Sequence, residues 1–486
     1  MSKLFSGLEP AALWSHFEDL CDIPRPSKLE GRAIEHVRNF GERLGLFTQV
    51  DDVGNVLIRK PATPGMEDRQ GVILQGHLDM VPQKNADTDH DFETDPIQAY
   101  VDGDWVTARG TTLGADNGIG VAAAMAVLEA DNLPHGPVEA LFTIDEETGM
   151  TGAFGLQPGW LEGDILLNMD SEDEGELYIG CAGGMNTNAR LAYDQVQVPA
   201  GTVAFRVSVT GLKGGHSGLD INLGRGNSIK IMNRFLWQAS EDYGLRLATL
   251  DAGSLRNAIP REAFARVVLP AAKVDAFTSF VTEFAATVRR ELSVTEPDLR
   301  IQAEPGDVPA AVMDEATQQQ LLRALSGCPH GVLGICADMP EVVETSTNLA
   351  IATADNGIIE LATLQRSSVD SLIEEAGRSV RAVFELAGAE VEHTGKYPGW
   401  KPNLQSPILN TMKQVYHDHF GKEPEVKVIH AGLECGLLGG VYPNLDMISF
   451  GPTIRHPHSP DEKVNIDTVR KFWEFLVATL AGVPRK

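Results

Sequence analysis

Short apolar runs recur along this chain, and each ends in an acid or a histidine. The stretch Gly71-Val-Ile-Leu-Gln-Gly-His77-Leu-Asp79 sets the pattern. Val72 to Leu74 are unbroken by polar residues and partly β-branched, which predicts a buried parallel strand. Val138 to Ile144 runs into Asp145-Glu146-Glu147, and Asp164 to Met169 into Asp170. Asp446 to Phe450 runs into a loop with His456 and His458. Ligands of open α/β sheets bind just past the carboxyl ends of the strands. Four runs delivering acids or histidines at the same end therefore predict a site.

Between these runs the period changes. Residues 11 to 48 read as helices: Ile34, Val37, Phe40 and Leu44 recur at helical spacing, and Gly45 is placed as a stop. Asp51 to Asn55 is a turn before a strand at Val56 to Ile58. Asn85 to Trp105 is polar and reads as loop. Gly110 to Gly120 leads into Val121 to Glu129, an Ala-rich helix by propensity. Strands alternating with helices to about residue 180 predict a wound α/β domain. The style shifts after Gly180-Cys-Ala-Gly-Gly184, a hinge. Val203 to Val209 alternates like a half-exposed strand. Phe264 to Leu269 precedes a helix at Lys273 to Leu292, and Gly357 to Leu364 precedes one at Ser368 to Ala387. This predicts an α+β domain with one sheet face covered. From about residue 396 the first style returns. Ser406-Pro407 is an N-cap with Pro at N1, and Gly421 a stop. Asp467 is expected to cap a last helix with Val469, Trp473, Leu476 and Leu480 on one face. The expected organisation is residues 1–183 and 396–486 as two parts of one domain, with 184–395 inserted. His458 then joins the other polar ends only if the C-terminal segment folds back onto the N-terminal sheet.

The formal net charge is −28, from 40 Lys+Arg against 68 Asp+Glu. So acidic a surface repels phosphate backbones and anionic lipid, which argues against nucleic-acid and membrane partners. The five cysteines are widely spaced with no Cys-x-x-Cys, so neither a disulfide scaffold nor a Cys zinc site is expected. The first residues lack the apolar core of a signal peptide, and no apolar run is long enough to span a bilayer. These features predict a reducing cytoplasm.

The candidate chemistry lies in His77, Asp116, Glu147, Asp170 and His458. Imidazole with carboxylate and no thiol suits Zn²⁺, and also Mn²⁺ or Co²⁺. Five ligands are too many for one open catalytic zinc. With one bridging carboxylate they serve two ions and leave positions for water. Asp116, in a Gly-rich turn at a helix N-terminus, is the best bridge. Asp79 follows His77 at the spacing that puts both side chains on one side of an extended segment, where it can accept the second ring N–H. Of the adjacent Glu146 and Glu147, one can bind metal while the other takes a proton from water. Singly, each has a plainer reading: a structural histidine, a solvated acid triplet, a turn aspartate. Their joint occurrence at strand ends carries the argument. The Gly110 to Gly120 stretch is no phosphate loop, since it lacks the Lys-Ser/Thr ending.

At these residues the chain resembles a known family. His77-Leu-Asp79-Met-Val-Pro, Gly114-Ala-Asp116-Asn117-Gly, Glu146-Glu147-Thr-Gly, Asp170-Ser and His458-Ser-Pro-Asp-Glu are similar to the metal motifs of the di-zinc peptidases, which include carnosinases and aminoacylases. The likeness spans essentially the whole chain and is strongest to the bacterial dipeptidase branch. It implies a wound mixed-sheet α/β catalytic domain with an inserted α+β lid that binds substrate and forms a homodimer. It implies two Zn²⁺ per chain, one held by His77 and Asp170, the other by Glu147 and His458, with Asp116 bridging. Asp79 would orient His77, and Glu146 would be the general base. In the family the peptide bond after the bridging aspartate is usually cis, which marks Asp116–Asn117. In the lid, Lys213-Gly-Gly-His216-Ser-Gly matches a histidine that polarises the substrate carbonyl, and Asn257 and Arg366 match residues that bind the substrate carboxylate. The implied activity is hydrolysis of unblocked dipeptides, Xaa-His or of broad specificity. The alternatives are an amide hydrolase acting on N-acyl amino acids and a non-catalytic metal-binding protein.

Overall fold

The computed structural model describes residues 4–486. The chain forms two compact units: Met1–Gly180 with Trp400–Val428 and Leu433–Lys486, and Cys181–Gly399 with Ile429–Gly432.

The first unit is built on an eight-stranded sheet. In spatial order its strands are Phe47–Val50, Val56–Lys60, Val138–Thr143, Val72–His77, Ile165–Asn168, Asp446–Ser449, Glu176–Cys181 and Glu425–Ile429. The four that end in the predicted polar clusters are consecutive neighbours and run parallel. Val72–His77, Val138–Thr143 and Ile165–Asn168 are buried at every residue. Covered parallel strands require such unbroken apolar runs, and parallel neighbours bring their carboxyl ends side by side.

The helix Ala115–Glu129 packs on the Val72–His77 strand and on the helix Ala11–Cys21. It is buried from Ala115 to Leu128, which suits its apolar composition all round. It begins before Val121, through a kink at Asp116 and Asn117 whose connecting peptide is cis. The glycines that weaken helix propensity here serve close packing: a Cβ on Gly120 would meet the Met169 carbonyl oxygen at 2.7 Å.

Two local expectations are corrected. The polar stretch 85–105 is not all loop, because Ala99–Asp102 pairs with Trp105–Ala108 in a hairpin turned at Gly103 (φ 58°). Tyr100 to Asp102 are only partly covered, so the strand shows almost no apolar alternation. Lys463–Asn465 adds to this hairpin and Ile454–Arg455 adds to Lys463–Asn465, which returns the His458 segment to the N-terminal part of the unit. The final helix, Ile466–Gly482, is capped by Asn465, whose side chain accepts from Thr468 N–H, rather than by Asp467. Asp467 instead pairs with Arg470 at 2.7 Å and Lys471 at 3.1 Å. The helix Pro407–Phe420 has the expected ends, with Ser406 accepting from Leu409 N–H and Gly421 at φ 70°.

The second unit is α+β. Its antiparallel sheet runs Arg300–Gly306, Thr202–Thr210, Ala263–Pro270, Arg246–Ala252, Val343–Asp355, Ile358–Ser367, Gly183–Ala192 and Glu390–Tyr397, with Gly331–Ile335 added to Val343–Asp355. Helices cover one face, where Phe235, Phe277, Phe284 and Phe384 meet Val207, Val267 and Leu361. Among the described residues no helix is long and apolar enough to cross a membrane.

Candidate active site

The strand ends of the first unit converge. His77 Nε2 lies 3.1 Å from Asp116 Oδ1 and 3.2 Å from Asp170 Oδ1. His458 Nε2 lies 3.2 Å from Asp116 Oδ2 and 3.0 Å from Glu147 Oε2. Two trios result, His77–Asp116–Asp170 and Asp116–Glu147–His458, each with ligand atoms within 4.8 Å of one another, and Asp116 belongs to both. Its two carboxylate oxygens point to different histidines, the arrangement a bridge needs. His456 is exposed and belongs to neither trio.

Asp79 ties these ends together. His77 Nδ1 lies 3.2 Å from the Asp79 carbonyl oxygen and 3.3 Å from Asp79 Oδ1, which fixes that nitrogen as the donor and leaves Nε2 to face the acids. The Asp79 carboxylate also accepts from Ser27 Oγ at 2.8 Å and from the backbone N–H of Glu146 at 3.0 Å and Glu147 at 3.3 Å. Burial opposes its charge, but these donors, His77 foremost, hold its carboxyl down at about 2. Glu146 and Glu147 begin a short helix after Asp145, which sits at φ 51° and accepts from Thr148 and Thr151 hydroxyls.

The donor set is short of positive charge. Burial, with Asp116 and Glu434 nearby, raises Asp170 to about 7. Burial and the charges of Asp170, Glu434 and Glu147 push Glu146 well above the usual carboxylate range. Hydrogen bonds that His458 donates to Asp116 and Glu147 push it up to about 11. Glu147 Oε1 and Asp170 Oδ1 are buried without a hydrogen bond. Buried carboxylates keep their charge when a cation compensates them, so imidazoles, crowded acids and orphaned oxygens fit divalent metal.

Beneath the site lies a buried polar layer that no apolar run announces. Glu434 Oε2 accepts from Gln75 Nε2 at 2.5 Å and Thr143 Oγ1 at 2.8 Å. Gln75 Oε1 accepts from Asn168 Nδ2, Asn168 Oδ1 from Ser449 Oγ, and Ser449 meets Ser171. One hydrogen-bonded chain thus crosses all four site-bearing strands. Such a network, hydrogen-bonded from strand to strand, holds strand ends in register. Glu434 is buried, and with Glu172 and Glu462 it was missed among the acids. The one available signal was an acid alone in the apolar string Leu433-Glu-Cys-Gly-Leu-Leu438.

His216, Asn257 and Arg366 meet in the second unit, around Ser217. Ser217 N–H donates to Asn257 O at 2.8 Å, and Arg366 Nε donates to Ser217 Oγ at 3.4 Å. His216 Nδ1 accepts from the N–H groups of Gly218 and Leu219, at 3.2 and 3.0 Å, which places its proton on Nε2. Burial, then Arg366, lowers it to about 4, so the ring is a neutral donor at neutral pH. Arg366 is buried, not a surface charge at a strand end, and Nη1 donates to Tyr397 Oη at 2.9 Å. His216 and Asn257 line a cavity of about 600 Å³ with Lys213 and Arg261.

The "Cytosol non-specific dipeptidase" of Escherichia coli K12 is 47% identical over 486 residues, covering 100% of both chains. The crystal structure of aminoacylhistidine dipeptidase from Vibrio alginolyticus superposes with a TM-score of 0.94 at 50% identity, covering 99% of this chain and 98% of that one. Aminopeptidase PepT from Bacillus cereus shares the fold, with a TM-score of 0.57 at 15% identity over 98% of this chain and 99% of that one. The sequence model of peptidase family M20/M25/M40 matches residues 73–482, and this chain belongs to that family.

Proposed function

We propose that this chain is a cytoplasmic, metal-dependent dipeptidase that hydrolyses unblocked dipeptides at a centre of two divalent ions, Zn²⁺ by donor type, with Co²⁺ or Mn²⁺ as substitutes. The observation that carries the reading is the pair of ligand trios sharing Asp116, with Glu146 alongside. Full-length identity to a relative named as a cytosol dipeptidase supports the activity and compartment. All five cysteines are buried and, among the described residues, none is joined in a disulfide, which suits a reducing compartment.

His77 and Asp170 would hold one ion, Glu147 and His458 the other, and Asp116 both. Bound by these residues, divalent ions would supply Lewis acidity to the scissile carbonyl and to the attacking water. Glu146 takes the proton from that water and returns it to the leaving amine as the C–N bond breaks, which releases two amino acids. Its raised affinity for protons suits a group that must both accept and give one. Asp79 holds the His77 tautomer. His216 donates Nε2–H to the carbonyl oxygen as charge develops there. Arg366, with Asn257, receives the substrate carboxylate, for which a guanidinium offers two parallel donors.

A substrate panel tests this. Free dipeptides should be cleaved and their N-acetyl counterparts refused; the reverse order would favour the N-acyl amino acid reading. In Arg366→Ala, kcat/KM for dipeptides should fall by at least about tenfold more than for dipeptide amides, on the scale of a charge-assisted pair. Equal losses would remove Arg366 from carboxylate binding. The same reading includes a homodimer, and sedimentation equilibrium should return twice the chain mass; a monomer at assay concentration would exclude it.

A further inference from the structure

Asp116 carries the proposed bridge, yet its side chain does nothing to hold its own turn in place. Two buried charges outside the ligand set do that. Glu462, 2% exposed, accepts four successive backbone N–H groups. Leu113 and Gly114 donate to Oε2 at 2.8 and 3.0 Å, and Ala115 and Asp116 to Oε1 at 2.8 and 3.2 Å. From the carbonyl side, Arg25 Nη2 donates to Gly114 O at 2.6 Å, and Nη1 to Leu78 O and Asp79 O at 3.0 and 3.1 Å. Gly114 sits at φ 73°, where a Cβ would come within 2.6 Å of Arg25 Nη2, so only glycine fits between the two grips.

Glu462 does more than cap a helix. It lies in the loop between Ile454–Arg455 and Lys463–Asn465, and that same loop carries His458. His456 and His458 both adopt positive φ, 55° and 58°, a conformation that persists only when the surroundings impose it. Within the loop the Glu462 backbone N–H donates to Ser459 O at 2.9 Å, and Thr107 Oγ1 donates to Glu462 O at 2.8 Å. One carboxylate therefore fastens the segment bearing His458 onto the turn bearing Asp116.

We propose that Glu462 is a positioning residue that assembles the His458–Glu147 half of the metal centre by docking its loop on the Asp116 turn. The inference rests on the proposed ligand set. His77 and Asp170 project from adjacent sheet strands and need no such fastening, so the two ions should respond differently to its loss.

Zn²⁺ binding to the metal-free, full-length protein, in competition with a chromophoric chelator, tests this. The wild type should take up two ions. Glu462→Gln keeps the shape but loses the charge that four N–H groups require. It should bind one ion about 10–100-fold more weakly, the range seen when a partner behind a ligand is lost, and the other, which shares only Asp116 with it, by a smaller factor. Glu462→Asp, which keeps the charge on a shorter arm, should fall between the two and serves if the glutamine variant does not fold. Asp461→Asn, the same charge change on the exposed neighbour, should leave both affinities unchanged. Wild-type affinity for both ions in Glu462→Gln, even with a lower melting temperature, would make Glu462 a helix cap and nothing more. Equal weakening of both ions would also overturn the proposal. A wild type that binds no pair of ions would instead overturn the ligand assignment itself.

Discussion

Glu146→Gln in the metal-loaded protein should lower kcat by more than about 10²-fold, the contribution of a positioned general base, and leave metal content unchanged. The side chain keeps its shape and loses only its basicity. Its backbone N–H would still be held by Asp79 Oδ1 at 3.0 Å, so the short helix and the neighbouring Glu147 keep their places. The environment argues for the role: burial and the nearby acids push Glu146 well above the ordinary carboxylate range, while the donors around Asp79 hold that carboxyl low. Two carboxylates driven apart in this way take different tasks, the low one holding a histidine and the high one exchanging a proton. Turnover within a few-fold of wild type in a fully metallated variant would remove Glu146 from the base role.

Asp116→Asn should reduce bound metal from two ions to at most one and suppress turnover by more than the ~10–100-fold that loss of a partner behind a ligand causes. The carboxylate is the shared member of both trios, with Oδ1 and Oδ2 at 3.1 and 3.2 Å from the two histidines. An amide offers one neutral oxygen and an NH₂ that repels a cation, so one trio is left with two of its three ligands, a histidine and a single carboxylate. Metal analysis after dialysis, alongside kinetics, reads both effects. Two ions retained at full occupancy would mean that Asp116 does not bridge. Together the variants separate chemistry from assembly: one should be loaded and slow, the other unloaded.

The chain order of the site explains what could be read in advance. A covered parallel strand is mostly apolar, so the runs at Val72, Val138, Ile165 and Asp446 were visible, and so were the acids and histidines that follow them. Helix ends with their own local chemistry, such as Ser406-Pro407 and Gly421, were equally plain. The strand Ala99–Asp102 was hidden because only Ala99 is buried while Val101 and Asp102 are exposed, so it carries no alternation. Asp467 reads as a cap because acids at a helix start serve both as caps and as dipole partners, and the hydrogen bond from Thr468 N–H to the Asn465 side chain assigns the cap to Asn465 instead.

By itself the sequence determined which segments become strands, which end of each strand carries chemistry, and that imidazoles and carboxylates rather than thiols would gather there. Those follow from local rules of period, capping and donor type. Tertiary structure alone decided that the four strands are neighbours, that a small sheet brings residues 454–465 back to Trp105–Ala108, and that Glu434, Glu462 and Arg25 stand behind the site. Their partners, Gln75, Gly114 and Leu78, lie far away along the chain. A charge buried against distant backbone leaves no periodic trace, because what stabilises it is the fold around it and not its neighbours in sequence.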